Sequence, residues 1–454
     1  MTAPPARRLK SLRREFELVM KLLETAPTVD KTFLTPKAEF ARRQQAVAAA
    51  LARAGFSVGL VFSDEHYCGD VPYLGGNTNV SIEQVAGVIG PQGFQIAAGL
   101  EGGYVAEQLA PRANAVVHKV ELLQLADEKY PIRAERIEDV IVAAAGKPAD
   151  RIALLTPRQV VPAALIAYLE KLFGKDGVVD AQEIYYRVKY EKSDVEMRLI
   201  RDASVIADAM LRAMLAVLKP GMLETEVAAW AYFVGRELGS EADGFQVMVG
   251  ANEANRTLIG PALNRPIREG DWVHLGVAPK RDGLNACIRR SVIAVEDPTQ
   301  VTPEQTYWFD LVEGAYEVGL KKFIEVAEND LPAKLQEQAL VDYFAGKSEE
   351  VSRRIGQPIQ LERFKPYTGT HNSGYTECQE FYGAITLESE QPLGRQIVTM
   401  LDVALRGFGD HWHDVVIPGF DYLVIENTLG KFGKKVEVLN RVPIRVQGLV
   451  GSSQ

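Results

Sequence analysis

His371, in YTGTHNSG, and the run Asp410-His411-Trp412-His413-Asp414 are where this chain concentrates side chains able to hold a proton or a metal ion. His371 sits in a Gly/Ser/Thr-rich strand end, and three roles are open to it: general acid–base, metal ligand or hydrogen-bonded structural histidine. Extended backbone would put His411 and His413 on one face. That run, however, reads as a loop between two late strands, and so as a surface or interface segment. Glu377 and Glu380, in GYTECQEFYG, are candidate proton carriers, set against the commoner fate of glutamates in solvent. Cys287, in NACIRRS, reads as a nucleophile beside Arg289 or His371, or more simply as a small buried filler. Arg289 aimed inward would favour a carboxylate on a ligand; aimed outward it is a surface residue.

These residues need a scaffold, and the sequence supplies two kinds. From about Ala38 to Asp180, amphipathic stretches such as AEFARRQQAVAAALARAG alternate with short apolar runs such as FSVGLVFS and RIALLT, the rhythm of a small α/β domain. Ser193 followed by Glu196 then opens a long amphipathic helix ended by Pro220-Gly221, and Thr302-Pro303-Glu304-Gln305 opens another. Strand-rich segments follow. A domain boundary near Lys189 gives an expected amino-terminal domain over 1–188 and a second over 189–454. With 51 basic against 60 acidic residues, a net charge of -9 argues against nucleic acid or an anionic membrane as partner. No run is apolar enough to span a bilayer and the start lacks a signal-peptide pattern, so the expected location is the cytoplasm. Three scattered cysteines make no disulfide framework.

The order of a KS-x-x-E helix, a KPGM-x-E helix, GAN followed by NRPIREGD, a strand pair and an isolated His-x-x-Gly resembles the pita-bread family of aminopeptidase P, prolidase, methionine aminopeptidase and creatinase. The resemblance runs over roughly Tyr185 to Pro443, and VPYLGG near Tyr73 is similar to that family's amino-terminal domain. It implies an α/β amino-terminal domain followed by a pita-bread domain, and a homodimer. In the family's peptidases two divalent metals are held by Asp, Asp, His, Glu, Glu. Here the two aspartate positions fall on Gly276 and Cys287 of GDWVHLGVAPKRDGLNACIRRS. His371 stands at the histidine position, Asp402 at the first glutamate, and Asp421, or Glu426 if the turn is counted differently, at the last.

Two early carboxylates short, the chain is expected to do without the two-metal centre. The expected activity is therefore metal-independent, creatinase-like hydrolysis or elimination at a C–N bond of a small amino-acid-like or N-substituted carboxylate substrate. His371, Asp402 and Asp421 are its expected catalytic residues. His274, Cys287, Arg289, Glu377 and Asn77 are expected to line the substrate, and no cofactor is expected. Creatine itself is disfavoured, because Arg289 replaces the substrate-binding glutamate of creatinase. One alternative is a metal-dependent Xaa-Pro peptidase in which a two-residue strand slip lets His274 join Cys287, His371, Asp402 and Asp421 around a single Zn, Mn or Fe ion. The other is an inactive homologue kept as a peptide-binding module.

Overall fold

A computed structural model of the chain describes residues 5–81, 83–124, 133–376 and 382–452. It divides into two compact units interleaved in sequence, Phe33–Glu196 with Gly374–Tyr382, and Met1–Thr32 with Met197–Ser373 and Gly383–Gln454. The sequence reading drew one cut at 188/189 instead. It did not place the first helix, Pro5–Thr25, with the carboxy-terminal unit. The reason is packing: Val19 and Leu22 of that helix belong to the same buried cluster as Trp230 and Val234.

The first unit is a six-stranded mixed sheet. Its strands are β1 (Gly59–Ser63), β2 (Val85–Gly90), β3 (Gly93–Ala98), β4 (Val116–Lys119), β5 (Ile152–Leu154) and β6 (Val178–Asp180), in the order β4-β3-β2-β1-β5-β6. Apolar runs such as GLVFS are buried along their whole length, as expected of strands covered on both faces. Ile137, Val140 and Ile141 of one helix and Leu165 and Leu169 of another pack on Leu60, Phe62 and Val88. A buried carboxylate, Asp70, is matched by Lys189 at 2.8 Å and accepts a hydrogen bond from Thr156 Oγ1 at 2.6 Å, so the charge is not left alone in the core.

The second unit carries the late strands: β7 (Met248–Ala251), β8 (Trp272–Val277), the two-residue pair β9 (Lys280–Arg281) and β10 (Leu284–Asn285), β11 (Ile288–Ile293), β12 (Thr370–Asn372), β13 (Gln396–Arg406), β14 (Tyr422–Phe432) and β15 (Lys435–Val438). All except the β9/β10 pair join one antiparallel sheet in the order β12-β13-β14-β11-β8-β7, with β15 also paired to β14. Helices Asp194–Val217 and Glu224–Leu238 bury Ile206, Met210, Met214, Val227 and Val234 against Val273, Leu275, Ile288 and Val292. Helix Pro303–Asn329 packs over β13 and β14. The predicted capping box at Ser193 forms, and the predicted N-cap Thr302 is part of a second. The Ser193 and Glu196 side chains exchange hydrogen bonds with each other's backbone N–H, and Thr302 and Gln305 do the same. Among the described residues no helix is long and apolar enough to cross a membrane.

Candidate functional site

The register of the second sheet sets one transverse row of side chains. Gly276 on β8 lies opposite Arg289 on β11, Arg289 opposite Glu426 on β14, and Glu426 opposite Asp402 on β13. One step along, Thr428 lies opposite Met400, which lies opposite His371 on β12. Cross-strand neighbours on one face are about 5 Å apart, so the ladder alone gathers His371, Asp402, Glu426 and Arg289. One donor atom from each of His371, Asp402 and Glu426 lies within 4.8 Å of the other two. Asp402 and Glu426 are buried; His371 is partly open.

The hydrogen bonds define what each group offers. His371 Nδ1 is 3.1 Å from the carbonyl of Asn372; a carbonyl only accepts, so Nδ1 carries a proton and Nε2 points at Glu426 Oε1, 3.3 Å away. Two atoms that both present lone pairs do not rest that close without positive charge between them, so the contact calls for a proton or a cation. Glu426 Oε1 makes no hydrogen bond within the described protein. Burial raises the Glu426 carboxyl, but the close contact with the His371 imidazole and the charges of Arg289 and His371 outweigh it and hold the group below its usual range. Asp402 goes the other way. Burial first, then the neighbouring charge of Glu426, push it up to about 7, against the pull of Arg289 and His371.

Arg289 points inward, and both of its terminal nitrogens are engaged within the protein. Nη1 donates to Asp402 Oδ2 and to the Tyr367 hydroxyl, both at 3.2 Å. Nη2 donates to the Tyr422 hydroxyl at 2.9 Å and to the carbonyl of Leu258, a residue with φ of 61°. Nε lies 3.8 Å from Glu426 Oε2 and makes no hydrogen bond. Tyr367 in turn donates to Asp402 Oδ1 at 3.1 Å and shares a 2.6 Å contact with Tyr422. The expectation that Arg289 binds a substrate carboxylate is therefore corrected: its guanidinium is committed to an internal ion pair.

Other expected residues make contacts of their own. Asp421 is not in the cluster; it pairs with Arg256 at 2.7 Å just before β14 begins, and Glu426 holds the place the sequence reading gave it. His274 does not slip into the site. It faces Ser291 and Gly250 across the ladder and contacts Asn255 Oδ1 at 2.7 Å, and burial pushes its pKa down to about 3. Cys287, buried beside Ala278 and Met400, does reach the cluster: its side chain hydrogen-bonds the Glu426 carboxylate. Its N–H donates to Thr428 Oγ1, whose hydroxyl donates back to the Cys287 carbonyl, each at 2.9 Å. Asn77 is buried in the amino-terminal unit, and Glu377, like Glu380, lies outside the described residues. His411 and His413 are exposed in a turn closed by Asp414. Tyr367 and Tyr422 were missed. Period-two alternation back from Glu426 through Val424 reaches Tyr422, the signal that would have found it.

Do these donors fit metal? They do not fit two ions. Gly276 and Cys287 supply no carboxylate, and Arg289 already faces both acids. Two divalent ions about 4 Å apart repel by about 16 kcal/mol at an effective dielectric of 20, and an ion beside a guanidinium by about half that. Two ions plus Arg289 would set five positive charges against the two negative ones of Asp402 and Glu426. One ion fits better. An imidazole and two carboxylates converge, one carboxylate oxygen lacks a hydrogen-bond donor, and this donor set suits Zn, Mn or Fe.

Residues 198–373 match metallopeptidase family M24. Among curated proteins the chain is 23% identical over 228 residues to an uncharacterized peptidase of Bacillus subtilis, covering 50% of this chain and 62% of that protein. It is 24% identical over 268 residues to the Xaa-Pro dipeptidase of Pyrococcus horikoshii, covering 58% and 72%. The chain thus spans about three fifths of the Bacillus subtilis relative's length. Among solved structures, an Xaa-Pro dipeptidase from Bacillus anthracis superposes with a TM-score of 0.67 at 17% identity over 90% of this chain and 99% of that one. An X-Pro aminopeptidase from Thermotoga maritima gives 0.68 at 18% identity, over 89% and 99%. These establish the pita-bread architecture. The names of these relatives favour the peptidase alternative over the metal-independent, creatinase-like activity expected first.

Proposed function

We propose, from the match of residues 198–373 to metallopeptidase family M24 and the pita-bread architecture, that the chain is a hydrolase of short Xaa-Pro peptides that works with a single divalent ion. His371 Nε2, Asp402 and Glu426 would hold that ion, and the observation that carries the reading is their convergence around an oxygen of Glu426 without a hydrogen-bond donor. When bound, such an ion supplies Lewis acidity and lowers the pKa of a water.

The protein's own groups do the rest. The Asn372 carbonyl fixes the His371 tautomer with Nε2 toward the site. Tyr367 and Arg289 hold both oxygens of Asp402, so that the carboxylate enters the reaction already oriented. In the overall reaction the oxygen of water bonds to the scissile carbonyl carbon, the C–N bond breaks, and the departing nitrogen takes a proton that the water gives up.

The test is proline release from Xaa-Pro dipeptides, with matched Xaa-Ala dipeptides as controls. It uses chelator-treated protein and the same protein reloaded with Mn²⁺, Zn²⁺ or Fe²⁺. Release restored by one of these ions is the expected result. No release with any of them sinks the reading, and turnover of N-substituted amino acids by chelated protein would reinstate the metal-independent one.

A further inference from the structure

We propose that the Arg289 guanidinium takes the part of a second divalent cation in this site, and that Gly276 is the opening that admits it. The inference deepens the single-ion reading above and rests on it for the first ion.

Three observations converge. Arg289 lies between the remaining acids, 3.2 Å from Asp402 and 3.8 Å from Glu426. Its stem runs over Gly276, where a Cβ would come within 3.0 Å of Arg289 Cγ and 3.3 Å of Met248 Sδ. Any side chain at 276, the aspartate of a two-metal site above all, would have to share that space with the arginine. The remaining donors on the terminal nitrogens are taken by Tyr422, Tyr367 and the Leu258 carbonyl, the last presented by a backbone at positive φ. Such backbone geometry persists where the surroundings over-determine it.

Exchanging a carboxylate-bound ion for a tethered cation keeps positive charge beside Asp402 and Glu426 while removing both the ligands and the ion that needed them. Since the donors on both terminal nitrogens are spent internally, Arg289 is a positioning residue that acts through Asp402 and Glu426. It limits the site to one ion and weakens the hold on that ion by like-charge repulsion. A merely structural arginine predicts the opposite sign, because its loss would loosen the acids and weaken binding.

The experiment is titration of chelator-treated full-length protein with Mn²⁺, with bound metal counted per chain after equilibrium dialysis. Wild type is expected to saturate at one ion. Arg289→Gln, which keeps donors but loses the charge, is expected to bind Mn²⁺ at least tenfold more tightly. Arg289→Lys is expected to stay within about threefold of wild type. Arg289→Met refolded with Mn²⁺ serves if the glutamine variant is not recovered.

Two ions per wild-type chain overturn the proposal, as does a neutral variant that binds no tighter than wild type. A wild type that binds none beside a neutral variant that binds one would uphold the role of Arg289 and remove the single-ion function. A wild type that binds one beside an unchanged neutral variant would do the reverse.

Discussion

The strand pairs β8/β11 and β13/β14 belong to one sheet and contribute to one row of side chains, but they treat charge differently. On β13/β14 two acids, Asp402 and Glu426, lie opposite each other in the interior. On β8/β11 the matching places hold a glycine and an arginine, with a buried cysteine beside them. The difference teaches that a site can lose ligands on one side provided the same side returns the missing positive charge. What is kept is a cation held against Asp402 and Glu426, and the residue types that supply it have changed.

The comparison breaks most visibly if Arg289 is made neutral. Arg289→Met leaves two buried acids without their cation and should cost about 3–5 kcal/mol of stability in chelating buffer, measured by denaturant unfolding, with much of the loss recovered on adding Mn²⁺. From the other side, His371→Ala should lower Xaa-Pro hydrolysis by more than roughly 100-fold, beyond what losing an outer partner of a ligand costs. Steady-state rates at saturating metal, with unchanged circular dichroism, would check it.

A third test sharpens the contrast through pH. His274 on β8 has a folded pKa of about 3 against 6.5 when unperturbed. Between those values the unfolded chain takes up a proton that the folded chain refuses, so this contribution to stability is lost as pH falls below about 6.5. The slope is at most about 1.4 kcal/mol per pH unit. His274→Gln, which can still donate to Asn255, should flatten that slope between pH 6.5 and 5 in unfolding curves. The smallest effect is expected of Gly276→Ala, about 1 kcal/mol from crowding Arg289, read as a modest drop in melting temperature.

Much of this architecture was legible beforehand. The capping box at Ser193, the N-cap at Thr302, periodicity and the order of motifs pointed to two α/β units and a pita-bread domain, because these signals are local. His371 and Asp402 were legible as parts of one site for the same reason: each sits in a short recognisable strand segment. Glu426 was harder. Its place depends on β14 running eleven residues to Phe432, and counting back from Gly430 assumed an earlier turn. Register is set by the whole ladder, and only the ladder puts Glu426 opposite Asp402. The direction of Arg289 was undecidable from alternation alone, since it rests on Gly276 being empty one strand away. Long-range steric room of that kind leaves no local trace. Nor did the sequence show that Pro5–Thr25 packs with residues two hundred positions later.

Cys287 carries a practical corollary. Its thiol has no exposed surface, and Thr428 stitches its backbone to β14 from both sides. An alkylating reagent can reach it only during moments when β11 and β14 part, whereas the half-covered Cys68 needs no such event. The ratio of the two labelling rates, followed by mass spectrometry on the unmodified protein, is therefore a native stopwatch for sheet breathing beside the acids.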